Sequence, residues 1–194
     1  DALVRNLMGG VSVTISNLIA ALFGSLGSSV GTSGVDCSVD DLYDAQFTLG
    51  LANASGPYTC VLHGQQMNDF RSSLRGESGA MQFNPATVEA LQTRGPGFQG
   101  TWNGIDFWQS AQVASSGGNR QGAMFAEGCF AYTEAPVALL QGHIPADRVL
   151  VDAGEILVEL IRAASLGETA ALAHYYPAVA EVEDSRGVLI ATDA

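Results

Sequence analysis

Residues 53–65 read Asn53-Ala54-Ser55-Gly56-Pro57-Tyr58-Thr59-Cys60-Val61-Leu62-His63-Gly64-Gln65. Ser55-Gly56-Pro57 stops a helix and opens a turn, because glycine and proline both disfavour continued helical backbone. Tyr58 to Leu62 then forms an unbroken run of aromatic, β-branched and apolar residues bounded by turn signals, which reads as a short buried strand. Upstream, Ser38 followed three residues later by Asp41 makes a capping-box-like start, and Leu42, Ala45, Leu49 and Ala52 continue that helix to the break. Downstream, Met67, Phe70 and Leu74 predict another helix over 65–75.

Moving outward toward the C-terminus, Asn84-Pro85 reads as cap and first-turn proline of a short helix carrying Val88 and Leu91. Phe98–Trp102, Asn103-Gly104 and Ile105–Ser110 predict a hairpin, since Asn-Gly is the strongest two-residue turn signal. A Gly/Ser loop at 115–118 separates it from a strand at Gly122–Phe125, a short helix or turn at Gly128–Tyr132, and a strand at Val137–Leu140. Residues 155–162 are compatible with a strand or a helical turn. Tyr175–Glu183 and Val188–Thr192 flank a turn at Asp184-Ser185-Arg186-Gly187 and predict a closing hairpin. The mixture is α+β, and no fixed-period repeat occurs.

Toward the N-terminus, Leu3, Leu7, Val11, Ile15, Leu18, Leu22 and Leu26 recur every three or four residues and define one stripe of a long helix. Its other face holds Ser12, Ser16, Asn17, Ala20 and Ser25, small neutral residues that suit a helix between packed surfaces. Gly24, Gly27, Gly31 and Gly34 end it, and a hinge or lobe boundary is expected near 27–36.

The chain has 194 residues with 8 basic and 20 acidic side chains, a net charge of −12, which argues against a simple basic nucleic-acid binder. Every cation is arginine, so chemistry that needs a lysine amine is excluded within the chain. Charge is uneven: residues 6–35 carry no acid or base, whereas residues 127–194 carry 11 acids and 3 arginines. The uncharged run is interrupted by Gly9, Gly10, Ser12, Thr14 and Ser16, too polar for a membrane span, and it lacks a signal-peptide pattern. A chain opening on Asp1 is expected to be a fragment or a matured product. Cys37, Cys60 and Cys129 form no CxxC pair and fit a reducing compartment. His63, His143 and His174 are isolated, so no metal site is expected.

Gly27-Ser28-Ser29-Val30-Gly31 matches GxSxG and, with Asp147 and His174, keeps the order Ser, Asp, His for a small serine hydrolase using Ser29. That chemistry requires a strand-to-helix elbow, whereas this motif follows a helix. Gly95-Pro96-Gly97-Phe98-Gln99-Gly100 matches GxGxxG but follows a helix and precedes a hairpin, so it reads as a loop rather than a dinucleotide cradle. Glu181, Glu183 and Asp184 read as a solvated strand face, Asn53-Ala54-Ser55 as a helix end, and His63 as a structural histidine. Trp102, Phe107 and Trp108 are candidates for core or subunit packing; beside Asp106 they do not suit a phosphate-bearing ligand. No catalytic, cofactor-binding or metal site assembles.

The stretch 53–65, with Gly56-Pro57-Tyr58, Val61-Leu62-His63 and Gln65, resembles a segment of tailed-bacteriophage major capsid proteins of the Hong Kong 97 type. Gly104-Ile105-Asp106-Phe107 with Ser110 and Val113, Gly122-Ala123-Met124-Phe125 with Ala131, and Ala178–Glu181 through Arg186-Gly187-Val188 are similar to later stretches of that family in the same order. The resemblance covers residues 36–194, and the uncharged helix before them fits the family's spine helix. Gly64 departs from it, standing where the family has proline after His63.

The resemblance implies an α+β Hong Kong 97-like capsid fold. Residues 1–35 would be spine helix and linker of a peripheral domain, 36–145 mainly an axial domain, and 146–194 return strands and a C-terminal hairpin shared by both. The N-terminal arm and extended loop are expected to be missing or shortened. The implied function is a structural major capsid protein of Caudoviricetes, not an enzyme, self-assembling into hexamers and pentamers of an icosahedral shell around double-stranded DNA. The implied partners are further copies of itself, a portal protein, and scaffold, maturation protease and decoration or cement proteins, with no sequence-specific DNA contact and no membrane. Its place would be the virion, after assembly in the host cytoplasm. Without lysine, a lysine–asparagine cross-link between copies is impossible. An encapsulin-like compartment shell shares the fold and is the alternative, with the serine hydrolase as a third reading.

Overall fold

The computed structural model describes residues 2–76, 83–134, 149–152, 157–163 and 168–193. The chain divides into two compact units, one of residues 1–15 and 132–179, the other of 16–131 and 180–194. In chain order the elements are helix α1 (Ala2–Ala21), strand β1 (Ser29–Val30), helix α2 (Val39–Leu51), strand β2 (Tyr58–Leu62), helix α3 (Gly64–Gly76), strand β3 (Asn84–Pro85) and helix α4 (Val88–Arg94). Strands β4 (Phe98–Trp102), β5 (Ile105–Gln109), β6 (Ser115–Ser116), β7 (Asn119–Ala126), β8 (Phe130–Glu134), β9 (Val149–Asp152), β10 (Leu157–Ala163), β11 (Glu168–His174), β12 (Pro177–Glu181) and β13 (Gly187–Asp193) follow.

The larger unit is built on a mixed sheet of order β1-β13-β7-β2-β5-β4-β3, with β6 on the end of β7. β2 runs parallel to β5 and antiparallel to β7, so the run 58–62 lies in the middle of the sheet, with Cys60 and Leu62 fully buried on one face and Thr59 and Val61 half-buried on the other. Alternation sends Cys60 and Leu62 to one face with Phe107, Met124, Val188 and Ile190, where Leu42, Ala45 and Leu49 of α2 and Met67 and Phe70 of α3 complete the core. The other face carries Val61, Ala123, Phe125 and Leu189, covered in part by Ile19, Ala20, Phe23 and Leu26.

Local chemistry fixes the ends of these elements. Ser38 and Asp41 form a reciprocal capping box at α2. At its other end Ala54 N–H bonds Leu49 O and Asn53 N–H bonds Gly50 O, a Schellman closure. Asn53 takes the left-handed position there with φ 56°. The β4–β5 turn has Asn103 at φ 48° and Gly104 at φ 78°, both positive as a type I′ turn requires. A bulge between Phe98 and Gly100 places one extra residue in β4. Trp102 therefore packs on the α3 side against Phe70, while Phe98 turns to Trp108, with centroids 5.4 Å apart.

Several expectations change. The α-helix ends at Ala21, and Phe23–Ser25 tightens into a 3₁₀ turn before Leu26. The side of α1 that meets the sheet carries Ile19 and Ala20, continuing to Phe23, whereas Leu18 of the leucine stripe is exposed. The small Ala20 permits a close approach, and Phe23 lies against Phe125 and Phe130 at 6.1 and 5.9 Å. The Gly/Ser stretch near 27–36 is not a hinge: β1 pairs in parallel with β13, Leu189 N–H bonds Ser28 O, and Asp193 N–H bonds Val35 O. Thr87, not Asn84, caps α4, and Asn84-Pro85 pairs with β4 at the sheet edge. Of the helix or turn expected at Gly128–Tyr132, the turn forms at Gly128, and Phe130 onward is strand β8. The closing hairpin does not form, because β12 pairs with β8 while β13 pairs with β7 and β1. The predicted strand Val137–Leu140 lies outside the described residues.

In the smaller unit β9, β10 and β11 make an antiparallel sheet, with Leu157 opposite Asp152 and His174. Of the stretch 155–162, the described residues 157–162 are strand. Tyr132 and Tyr175 both donate to the same Glu134 carboxylate oxygen at 2.9 Å.

Candidate functional site

The catalytic motif candidates do not assemble. Ser29 sits in a two-residue edge strand, and no helix begins until Val39, so the elbow that would expose a nucleophile is not built. His174 lies in β11, and Asp147 lies outside the described residues. Gly95 to Gly100 runs from the end of α4 into β4 with no following helix to receive a pyrophosphate. The acid cluster at 181–184 is engaged locally. Glu181 accepts the Ser25 hydroxyl at 2.7 Å, Asp184 accepts the Gly27 N–H at 2.6 Å, and Glu183 accepts from Arg186 at 2.7 Å. Glu181 and Asp184 therefore tie the 3₁₀ turn after α1 and Gly27 to the end of β12 and the β12–β13 connection.

His63 begins α3. Its Nδ1 accepts the Gln65 N–H, its carbonyl accepts the Met67 N–H, and its own N–H donates to the Gln66 side chain. Desolvation and the nearby Arg120 lower its pKa, favouring the neutral ring that such acceptance needs. Burial pushes the Cys37 thiol up to about 12, assisted by Asp41 and Asp69, and Cys129 up to about 11, assisted by Glu181, Asp184 and Glu183. Burial likewise raises Cys60 well above its ordinary value. All three thiols stay protonated and unreactive at neutral pH. Among the described residues, no three His, Cys, Asp or Glu side chains group to hold a metal ion, and no helix is long and apolar enough to cross a membrane.

The aromatic trio separates. Trp102 and Phe107 are buried in the chain's own core, packed on Phe70, so they are not available as subunit contacts. Trp108 points to the other face of the sheet, half-buried, where it lines a cleft of about 380 Å³ with Ile19, Phe23, Val61 and Phe125. Arg94 is stacked on Phe98 at 4.7 Å from the ring centroid and paired with Asp106. Its side chain remains 44% exposed.

The sheet's opposite face carries a second feature that the sequence reading missed. α2 buries Leu42, Ala45 and Leu49 but presents Tyr43, Phe47 and Leu51 outward, with Phe47 66% and Leu51 69% exposed. Tyr43 touches Trp102, and Asp40 and Asp44 lie exposed alongside. The signal was present as a second i, i+4, i+8 series, but two apolar stripes on one short helix are easily read as a single core face. What these surfaces can do chemically is bury apolar area against another protein, with exposed acid beside the ridge.

No protein-family model matches the chain, and no curated protein matches it in sequence. Solved structures do. A structure of Mycobacterium phage Che8 superposes with a TM-score of 0.63 at 16% identity, covering 96% of this chain and 61% of that one. The holo-SrpI encapsulin complex of Synechococcus elongatus gives 0.60 at 14% identity, covering 96% and 64%. The capsid of Cyanophage P-SCSP1u gives 0.55 at 12% identity, covering 99% and 65%. The chain thus spans somewhat under two thirds of the length of each of these structures. Nearly its whole length follows their course, with an α-helix before a mixed sheet and its covering helices, and its fold is the Hong Kong 97-type fold of phage capsid and encapsulin shells.

Proposed function

We propose that the chain is a structural shell subunit, the major capsid protein of a tailed double-stranded DNA phage, and that many copies form the hexamers and pentamers of an icosahedral particle. The observation that carries this reading is the likeness of 96–99% of the chain to phage and encapsulin shells, in a molecule whose described residues assemble no reactive constellation. In that setting residues 1–35 belong to a peripheral domain with α1 as its spine. Residues 36–145 are mainly axial, meeting around fivefold and quasi-sixfold axes, and 146–194 return to serve both. A portal, and scaffold, protease or decoration proteins, are the expected partners, with assembly in the host cytoplasm.

The net charge of −12 fits a container for DNA. A wall of like charge does not hold phosphates, so packaged DNA slides during filling and release. An encapsulin-like compartment is the second reading, favoured by the encapsulin match at a TM-score of 0.60. Sedimentation of the product of the complete gene tests the shared claim, and the particle contents separate the readings. Nuclease-protected double-stranded DNA supports the virus, and an enclosed protein supports the compartment. Monomers or dimers under all salt conditions reject both.

A further inference from the structure

The chain contains a single Asn-Gly pair, Asn103-Gly104, and the fold puts it at the tip of the β4–β5 hairpin with both residues exposed. A Cβ built on Gly104 would meet nothing within 4 Å, so solvent reaches the turn freely. Among the described residues no hydrogen bond engages the Gly104 N–H. The Asn103 side chain is held from one side, where its Nδ2 donates to Oε1 of Gln46 on α2 at 2.8 Å. Trp102 and Ile105, both buried, anchor the turn at its two strand ends. One reaction is open to those atoms. Asn103 Cγ and the Gly104 backbone nitrogen belong to adjacent residues, so a bond between them closes a five-membered ring, and glycine brings no Cβ to shield its nitrogen.

We propose that Asn103 is a site of spontaneous deamidation by the Gly104 nitrogen, and that the hydrogen bond to Gln46 restrains it. The Gly104 N–Cγ bond forms, the Cγ–Nδ2 bond breaks, and ammonia leaves with the proton of the Gly104 N–H. Water then opens the resulting succinimide. Opening at Cγ leaves an aspartate at position 103, and opening at the main-chain carbonyl leaves an isoaspartate. Nothing is oxidised or reduced, and no co-reactant but water is needed. Either product removes the Nδ2 donor and sets a negative charge beside Gln46, loosening the hairpin from α2. The isoaspartate also adds a methylene to the backbone of a two-residue turn whose φ values of 48° and 78° set the pairing of Trp102 with Ile105. The modification accumulates with the age of the molecule, and it does not depend on the shell reading.

Incubation of the folded, full-length protein in mildly alkaline buffer made with heavy-oxygen water tests this, with peptide mass spectrometry as the readout. The expected result is that label enters position 103 faster than it enters any other asparagine position. Gln46→Ala is expected to speed that entry about fivefold, the population ratio that one neutral hydrogen bond sustains. Gln46→Glu keeps an acceptor oxygen in place and is expected to stay near the parent rate, which separates the bond from a general loosening of α2. No label at position 103 in the folded chain overturns the proposal, whether or not the urea-unfolded chain takes label there. A Gln46→Ala rate equal to the parent's overturns the restraint, and so does a Gln46→Glu rate equal to that of Gln46→Ala.

Discussion

The side-chain amide of Gln66 donates to the hydroxyl of Thr192 at 2.8 Å, joining two fully buried polar residues 126 positions apart. The same nitrogen lies 3.1 Å from Ile190 O and 3.2 Å from Arg120 O, while the amide oxygen accepts the His63 N–H at 3.1 Å. One glutamine therefore ties the start of α3 to adjacent strands β7 and β13. A buried polar group is tolerated when its partners are in place and costs most when one is removed. Gln66→Leu is expected to destabilise the chain by about 2–3 kcal/mol, and Gln66→Glu by more, since an ionised carboxylate cannot donate to those carbonyls. Urea denaturation midpoints check this; an unchanged midpoint for both would contradict it.

Asp69 has its pKa raised by desolvation and by the charges of Asp36 and Asp193, opposed by a hydrogen bond from Asn68. The folded chain thus holds this proton more tightly than the unfolded chain does. Stability falls as pH rises from the ordinary value of 3.8 through the raised one and is level above it. Asp69→Asn is expected to melt higher than the parent near neutral pH, with the gap closing in acid. Paired melting curves at the two pH values test the sign, and a variant that melts lower at neutral pH would refute it.

Gly122 sits where a side chain has no room. A Cβ there would lie 2.8 Å from Leu62, 2.9 Å from the Gln66 oxygen and 3.0 Å from the Val61 carbonyl. Gly122→Ala is expected to cost about 1–3 kcal/mol through overpacking between β2, β7 and α3. Gly104→Ala costs about 1 kcal/mol for a different reason, its φ of 78° in the hairpin turn. Thermal melts of the two variants would rank them in that order.

The three thiols are expected to resist a disulfide reagent in the native protein and to react together on unfolding. A spectrophotometric titration with and without denaturant reads this directly. A fast-reacting native thiol would show that Cys37, Cys60 or Cys129 is more open than its burial implies.

The sequence was most legible where local rules and burial agree. Tyr58–Leu62, the Ser38/Asp41 capping box and the Asn103-Gly104 hairpin each carry their own instruction, in strand propensity, side-chain hydrogen bonding and positive-φ backbone. It was least legible where a distant partner decides. Ser28 and Ser29 look like linker until β13 offers them an edge, and β12 looks like half of a hairpin until β8 takes it. The bulge that turns Phe98 from Trp102 toward Trp108 has no local signal beyond Gly100, so the fate of the aromatic trio was unreadable. The ridge of α2 was overlooked because exposure of Phe47 and Leu51 depends on which stripe the sheet selects.

On the proposed function, many copies of this chain close into a shell. Electron microscopy of the product of its complete gene, after fractionation by sedimentation, tests it most directly. The expected result is uniform icosahedral particles tens of nanometres across, in whose averaged density the mixed sheet and α1 repeat around fivefold and quasi-sixfold axes. A population of only one- or two-subunit species, across salt conditions and with scaffold supplied, would contradict it.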